Sequence, residues 1–277
     1  RRRLSSGDSW YQAAKLVTSD GASSDYVAEA VSGLSTSSFI AGVPYDDDKS
    51  NDAGATYIFT SSSGSWLQSS KVTGTDGASQ DYFGTMCAGL SASSFAVGNP
   101  YDDDMGSQSG SAYIFTSSSG SWVQADKVVA SDGGTNDYLS MANGLAGLSN
   151  ISMVAGSPYS NSVYVFTRID EGSWLQASKV VATDASSSDY FGIGLAGLSS
   201  SSFVAGSYHD SDAGTYSGSV YAFTAATAAS WVQADKIAAT DAGSQDWFGY
   251  ALSGLASNGT SFIATSFLHD TTGDNNA

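Results

Sequence analysis

Two runs of three aspartates, Asp46-Asp47-Asp48 and Asp102-Asp103-Asp104, bring enough carboxylates together to attract a cation. Calcium takes six to eight oxygen ligands, so acidic loops of this kind could hold it weakly. Adjacent residues of an extended chain point in opposite directions, however, so three consecutive carboxylates rarely converge on one ion. Further along, the aligned places read Ser160-Asn161 and His209-Asp210, so the run is not kept. A solvated turn is the expected role and a weak calcium site the second reading; no cofactor is expected to be required.

The two histidines, His209 and His269, each precede an aspartate, Asp210 and Asp270. A His-Asp pair could serve a metal or acid–base chemistry. No third ligand aligns with them and no Gly-x-Ser-x-Gly nucleophile motif is present, so they read as loop histidines. Glycosidase chemistry needs two facing carboxyl groups, and nothing in the sequence selects such a pair. Asn150-Ile151-Ser152 and Asn258-Gly259-Thr260 match the N-glycosylation pattern and make Asn150 and Asn258 candidate acceptors. Ser61-Ser62-Ser63 and Ser117-Ser118-Ser119 read as O-glycan carriers or flexible turns.

The 277 residues carry 27 acidic against 10 basic side chains, a net charge of −17. Nucleic acid needs a basic face to meet its phosphates, so that partner class is excluded as an expectation. An acidic surface favours cations or basic partners. Of the acids only Glu29 and Glu171 are glutamate, and the aspartate bias suggests turn-rich structure. Cys87 stands alone and forms no internal disulfide. No stretch approaches the roughly 20 apolar residues that span a bilayer. Arg1-Arg2-Arg3 has no apolar segment after it and reads as a processed or disordered tail over residues 1–9, not a signal peptide.

What must position these groups is a repeat. Trp10, Trp66, Trp122, Trp174 and Trp231 stand 52 to 57 residues apart and each opens the same phrase. Gln follows at the second residue after Trp and Lys at the fifth. Asp20, Asp76, Asp132, Asp184 and Asp241 come at the tenth, and a second Asp at the fifteenth is always followed by Tyr or Trp. Gly-Leu, an apolar run often ending Pro-Tyr, and a Tyr-x-Phe-Thr strand complete the phrase. In the second repeat, strand-length segments fall near 66–73, 82–90, 94–101 and 111–116. Four short strands per unit, repeated, predict an all-β propeller over residues 10–277, with five repeats visible and the last incomplete. Alternation along Trp122–Val128 predicts Trp, Gln and Asp on one face and Val, Ala and Lys on the other. The tryptophans and the retained aspartates read as structural anchors, the rings filling the space between blades.

Phe83-Gly84, Phe191-Gly192 and Phe248-Gly249, with Ala41-Gly42-Val43-Pro44, Val97-Gly98-Asn99-Pro100 and Ala155-Gly156-Ser157-Pro158, resemble the FG-GAP repeats of integrin α-chain propellers. The full phrase is more similar to the FG-GAP-type repeats of secreted microbial and algal proteins. The resemblance implies a propeller, extracellular or cell-surface exposure, and a role in adhesion or protein interaction. Its calcium loop does not carry over, because the interval Ala88–Ser94 holds no carboxylate. The first and third repeats depart further, with Val27-Ala28 and Leu139-Ser140 in place of FG.

The expected function is an extracellular structural or adhesive propeller, a subunit or segment of a cell-surface or filamentous assembly. Its partners would be proteins or further copies of itself. A carbohydrate-binding propeller is the alternative, a propeller glycoside hydrolase the third reading, and enzymatic activity is not expected. The fifth repeat breaks off over His269–Ala277 where a Tyr-x-Phe-Thr strand should follow, and Arg1–Leu4 align with that strand ahead of Trp10. The edge so left is expected to be covered by a neighbouring subunit or by polypeptide beyond residue 277.

Overall fold

The structure, a computed structural model, describes residues 12, 14–170, 172–227, 229–255 and 260–268. Trp10, Asn258, His269, Asp270 and the tail over 1–9 lie outside the described residues.

Short runs of β-branched and aromatic residues between tight turns form four antiparallel four-stranded sheets. The first joins β1 (Val31–Ser35), β2 (Ser38–Val43), β3 (Ala55–Ser62) and β4 (Ser65–Val72) in that order. The second repeats this with β5 (Met86–Ser91), β6 (Ser94–Asn99), β7 (Ser111–Ser118) and β8 (Ser121–Val128). The third holds β9 (Leu145–Ser149), β10 (Ser152–Ser157), β11 (Ser162–Asp170) and β12 (Ser173–Val180), and the fourth β13 (Leu195–Ser199), β14 (Ser202–Ser207), β15 (Ser219–Thr227) and β16 (Ser230–Ile237). A fifth unit contributes β17 (Phe248–Gly254) and β18 (Phe262–Ser266). Residues of all five inner strands, β1, β5, β9, β13 and β17, line one channel of about 660 Å³. The chain is an all-β propeller of repeated blades.

The blade and the sequence repeat are out of phase by one strand. The Trp-x-Gln strand that opens the second, third, fourth and fifth phrases pairs with the Tyr-x-Phe-Thr strand before it, as β4 does with β3. Each of the four four-stranded blades therefore takes three strands from one repeat and its outer strand from the next, which links neighbouring repeats by main-chain hydrogen bonds. Of the strand segments expected in the second repeat, the one near 82–90 starts late, at Met86, because residues 82–85 belong to the incoming loop.

The serine runs are also more ordered than flexible turns. Ser61 and Ser62 end β3, Ser117 and Ser118 end β7, and only Ser63 and Ser119 enter the turns. Ser63-Gly64 and Ser119-Gly120 have positive φ at both positions, 52° and 81°, then 55° and 83°. That is the mirror-image hairpin turn whose twist matches the strands it joins.

Each sheet seals one face against the next. Ala96 and Ile114 of the second sheet share a core with Met153, Tyr164, Phe166 and Trp174 of the third. Trp174 is buried, while Trp66, Trp122 and Trp231 are half-buried against the same kind of core. The tightest approach joins the two halves of the repeat phrase. A Cβ on Gly42 would stand 1.9 Å from the carbonyl oxygen of Gly84 in the following unit, and one on Gly156 2.0 Å from that of Gly192. Glycine is required there because backbone meets backbone.

Candidate binding face

A bulge in the outer strand brings the charged residues together. Tyr113 pairs with Lys127 and Phe115 with Gln124, so Ala125 is an extra residue in β8. The expected alternation breaks at that point: Lys127 turns onto the face of Trp122 and Gln124, and Asp126, opposite Ile114, turns away. The same register shift recurs in β4, β12 and β16. Its consequence is that each lysine lies over the ring of the tyrosine opposite, 5.0 Å from the centroid for Lys71 on Tyr57 and for Lys127 on Tyr113.

Around each lysine the aspartates converge. Lys127 Nζ lies 2.8 Å from Asp76, 2.6 Å from Asp102 and 2.7 Å from Asp104. Lys71 meets Asp20, Asp46 and Asp48 at 3.0, 2.7 and 2.5 Å, and Lys236 meets Asp184, Asp210 and Asp212 at 2.7, 2.8 and 2.6 Å. The tyrosine hydroxyl joins in, Tyr57 Oη lying 2.7 Å from Asp20 and 2.8 Å from Asp46 with one proton to share between them. The first and third aspartates of each run thus converge, and the middle one points elsewhere: Asp47 accepts the Asp52 amide and Asp103 the Gln108 amide, both at 2.7 Å. These runs are turns tied by ion pairs, with Asp46 and Asp102 buried and Asp47, Asp48, Asp103 and Asp104 still facing solvent.

The fourth blade keeps the pattern one residue out from the alignment the sequence suggested. Asp210 and Asp212 stand where Asp46 and Asp48 do, and Ser211 accepts the Tyr216 amide at 3.0 Å in place of Asp47. Among the four four-stranded blades the third is the reduced one: its short Pro158–Ser160 turn supplies no acid, and Lys179 holds Asp132 at 2.6 Å. Asp241 stands at the corresponding place in the loop after β16.

Carboxylate oxygens of Asp76, Asp102 and Asp104 lie within 4.8 Å of one another, as do those of Asp184, Asp210 and Asp212. That spacing would suit a metal, but an ammonium already sits among them. Burial pushes the Asp76 carboxyl up, yet hydrogen bonds from Lys127 and Tyr113 outweigh it and leave its pKa below the usual carboxylate range. Burial also disfavours the Lys127 charge, but its bonds to Asp102, Asp104 and Asp76 prevail and raise its pKa.

The second retained aspartate ties the incoming loop. Asp25, Asp81, Asp137, Asp189 and Asp246 each accept the backbone amide three residues earlier, at 2.6 to 2.8 Å. The glutamine of the phrase fixes the same loop from the next repeat, Gln124 accepting the Thr75 amide at 2.9 Å.

So held, the loop forces its next residue into the left-handed region. Tyr26, Tyr82, Tyr138, Tyr190 and Trp247 have φ between 51° and 57°. Bulky residues rarely adopt that backbone, and such strain persists only where the surroundings over-determine it. Their rings alternate with the tyrosines of the Pro-Tyr turns. Centroids lie 4.9 Å apart from Tyr26 to Tyr45, 5.2 Å on to Tyr82, 5.1 Å to Tyr101 and 5.3 Å to Tyr138. The row continues through Tyr159, Tyr190 and Tyr208 at 5.0, 5.2 and 5.3 Å, and reaches Trp247 at 5.1 Å. Most contacts are tilted or edge-to-face, the arrangement aromatic quadrupoles favour. One unbroken row of half-exposed rings therefore crosses every blade at the end of the sheets that carries the aspartate loops.

Beside this row opens a cavity of about 470 Å³, lined by Tyr45, Tyr82, Tyr101 and Tyr250 with Glu29, Gln80 and Gln108. Burial pushes the Glu29 carboxyl up. His209 belongs to the row as well, where the other blades place Tyr45 or Tyr101; its ring meets Tyr190 at 4.9 Å and stacks on Tyr216 at 4.3 Å. Burial lowers its pKa, which favours neutral imidazole. Asn150 is exposed in the two-residue turn between β9 and β10, at the opposite end of the sheet. The row was open to sequence reading: an aromatic follows the second aspartate in all five repeats, and Pro-Tyr recurs in three.

Among solved structures the chain is similar to Hsv2 of Kluyvelomyces marxianus, with a TM-score of 0.45 and 11% identity. The match covers 76% of this chain and 58% of that one, so the chain spans somewhat over half the length of that relative. No curated protein sequence matches. The FG-GAP repeat family matches three times, over residues 10–59, 66–115 and 174–223, each beginning at a phrase-opening tryptophan. These three stretches make up more than half of the sequence, and the chain belongs to the FG-GAP repeat family.

Proposed function

We propose that the protein is an extracellular adhesive propeller without catalytic activity that binds carbohydrate along its aromatic face. The carrying observation is the unbroken row of rings held on left-handed backbone beside a polar cavity. Sugars present C–H faces that pack on aromatic rings and hydroxyls that seek amide and carboxyl partners. Tyr45, Tyr82 and Tyr101 supply the first, while Glu29, Gln80 and Gln108 supply the second. FG-GAP repeats are typical of extracellular proteins, which supports that location. A hydrolase reading has less support: the buried aspartates of the clusters, Asp46, Asp102 and Asp210, are each engaged by a lysine, whereas glycosidases need a carboxyl pair free to act on substrate.

Binding to a glycan array tests the reading, comparing the wild type with Tyr82→Ala and Tyr101→Ala. The expected result is binding to a restricted glycan set, reduced at least tenfold in both variants at unchanged melting temperature. Absence of glycan binding by the wild type, or full binding by both variants, would refute it.

A further inference from the structure

We propose that the cavity beside the aromatic row takes a sugar carrying a free amine, with Glu29 as the group that selects it; this rests on the carbohydrate reading above. The cavity stands where blades meet. Glu29, Thr85, Met141 and Tyr250 line it, and each is the fourth residue after the capping aspartate of its own repeat. They lie at or shortly before the start of the inner strands β1, β5, β9 and β17, whose further residues line the channel. One position of the repeat, supplied by four blades, therefore converges at the end of that channel.

At its anchors the phrase keeps one residue type, but at this position the five repeats carry Glu29, Thr85, Met141, Ile193 and Tyr250. A structural task common to every blade would keep one type here as well. Four different side chains around one space instead give it an asymmetric lining, which selection of one ligand requires.

Glu29 is the one charged residue among the described residues that line the cavity, and no lysine or arginine among them neutralises it. Burial, and then the charge of Glu29, pushes the Tyr45 hydroxyl up, so the carboxylate is within electrostatic reach of that ring. Tyr45, Tyr82 and Tyr101 are consecutive rings of the row, 5.2 and 5.1 Å apart. The sheets show what a carboxylate and a tyrosine hold when they stand together: Lys71 Nζ lies 5.0 Å from the Tyr57 ring centroid and 2.7 Å from Asp46. The cavity offers the same two partners to an ammonium brought by a ligand, which would meet an opposite charge and the negative faces of the rings at once. One carboxylate suits a single positive charge better than calcium, which takes six to eight oxygens. The volume of about 470 Å³ falls within the roughly 300–1,000 Å³ of small-molecule sites, and the amides of Gln80 and Gln108 supply partners for hydroxyls. A net charge of −17 also draws cationic ligands from a distance.

Isothermal titration calorimetry with the β-linked tetramers of glucosamine, N-acetylglucosamine and glucose tests the proposal, because the three differ only in the group on carbon two. In a weakly acidic buffer, where the amine is protonated, the wild type is expected to bind the glucosamine tetramer at least tenfold more tightly than either of the others. Glu29→Gln keeps the size of the side chain and removes its charge. It should bind all three alike at an unchanged melting temperature, since Glu29 faces solvent. Asp170→Asn, the same loss of charge at an exposed position ending β11, should keep the preference. Equal binding of the three tetramers by the wild type, or a preference kept by Glu29→Gln or lost in Asp170→Asn, would overturn the inference and leave the carbohydrate reading standing. Spermidine bound as tightly as the glucosamine tetramer would make the cavity a general cation site and overturn the sugar assignment. Binding of none of the tetramers would overturn the inference too, and the glycan array then judges the carbohydrate reading separately.

Discussion

Replacing Lys127 with alanine should destabilise the fold far more than the same change at Lys179, and the reason is what each ammonium leaves behind. Lys127 is 13% exposed and holds Asp102, which is 5% exposed, together with Asp76 and Asp104, which are about half exposed. Removing one partner of a buried ion pair costs about 3–5 kcal/mol, because the other charge stays buried and unpaired. Exposed pairs contribute only about 0–1 kcal/mol each. Since this site opens to water on its Asp104 side, about 3 kcal/mol is the expected loss for Lys127→Ala. Lys179 is 37% exposed and its one partner, Asp132, is 50% exposed, so Lys179→Ala should lose about 1 kcal/mol or less. At about 2–4 °C per kcal/mol the melting temperatures should fall by roughly 6–12 °C and at most about 4 °C. Acid unfolding gives a second measurement. The Asp76 pKa is lowered in the folded state, so its contribution is present above the unfolded carboxylate value of about 3.9 and is lost as pH falls below that value toward the folded one. Lys127→Ala removes the main hydrogen-bond donor, so its acid transition should begin at higher pH than wild type. Calorimetry at neutral pH on both variants decides the matter: equal shifts, or a Lys127→Ala shift under ~2 °C, would refute the view that the buried aspartate needs its lysine.

Three further outcomes follow from the packing. Gly156→Ala, whose Cβ would meet the Gly192 carbonyl at 2.0 Å, should cost more than about 4 kcal/mol, whereas Gly98→Ala, facing the Ser140 hydroxyl at 2.9 Å, should cost about 1–3 kcal/mol; denaturant unfolding of the pair would show the order. Trp174→Ala should cost about 3–5 kcal/mol as a buried ring does and the half-buried Trp122→Ala about half as much, with equal melting temperatures counting against this assignment. Calcium should not be needed for folding, because ammonium groups occupy the acidic clusters: melting in excess calcium and in chelator should agree within ~3 °C, and a shift above about 10 °C would contradict it.

The repeat was legible because its anchors are local and periodic. Trp, Gln, Lys and two Asp keep their offsets through all five phrases, and such a unit can bury itself only by stacking on its neighbours. The phase of the blade was not legible, because a strand at the start of a phrase can pair backward or forward, and nothing within one period distinguishes the two. Nor was the face of Lys127: alternation holds until one residue is inserted, and the insertion at Ala125 is invisible until Tyr113 and Phe115 fix the register opposite. The aspartate runs show the reverse case. Alternation correctly implied that three neighbours do not share one ion, but the first and third do share one, and that ion is a lysine from the following repeat.

The aromatic row carries this reasoning to the function. Its rings come in pairs from two loops that are adjacent in space and separated by more than a strand in sequence, so the equal spacing of Tyr45 from Tyr82 and of Tyr101 from Tyr138 does not by itself bring them into contact. What joins them is the left-handed backbone after each capping aspartate, which turns the ring toward the neighbouring blade. A fold that wanted only a stable loop could have used Gly or Asn at that position at lower cost. Four tyrosines and a tryptophan stand there instead, next to polar groups and partly open to solvent. The Lys–Asp–Tyr clusters hold the same loops from below, and strain at the ring positions is sustained by ion pairs in the sheets. Stability is thus concentrated where the sequence repeats most faithfully, and the surface it supports is the one for which carbohydrate binding is proposed.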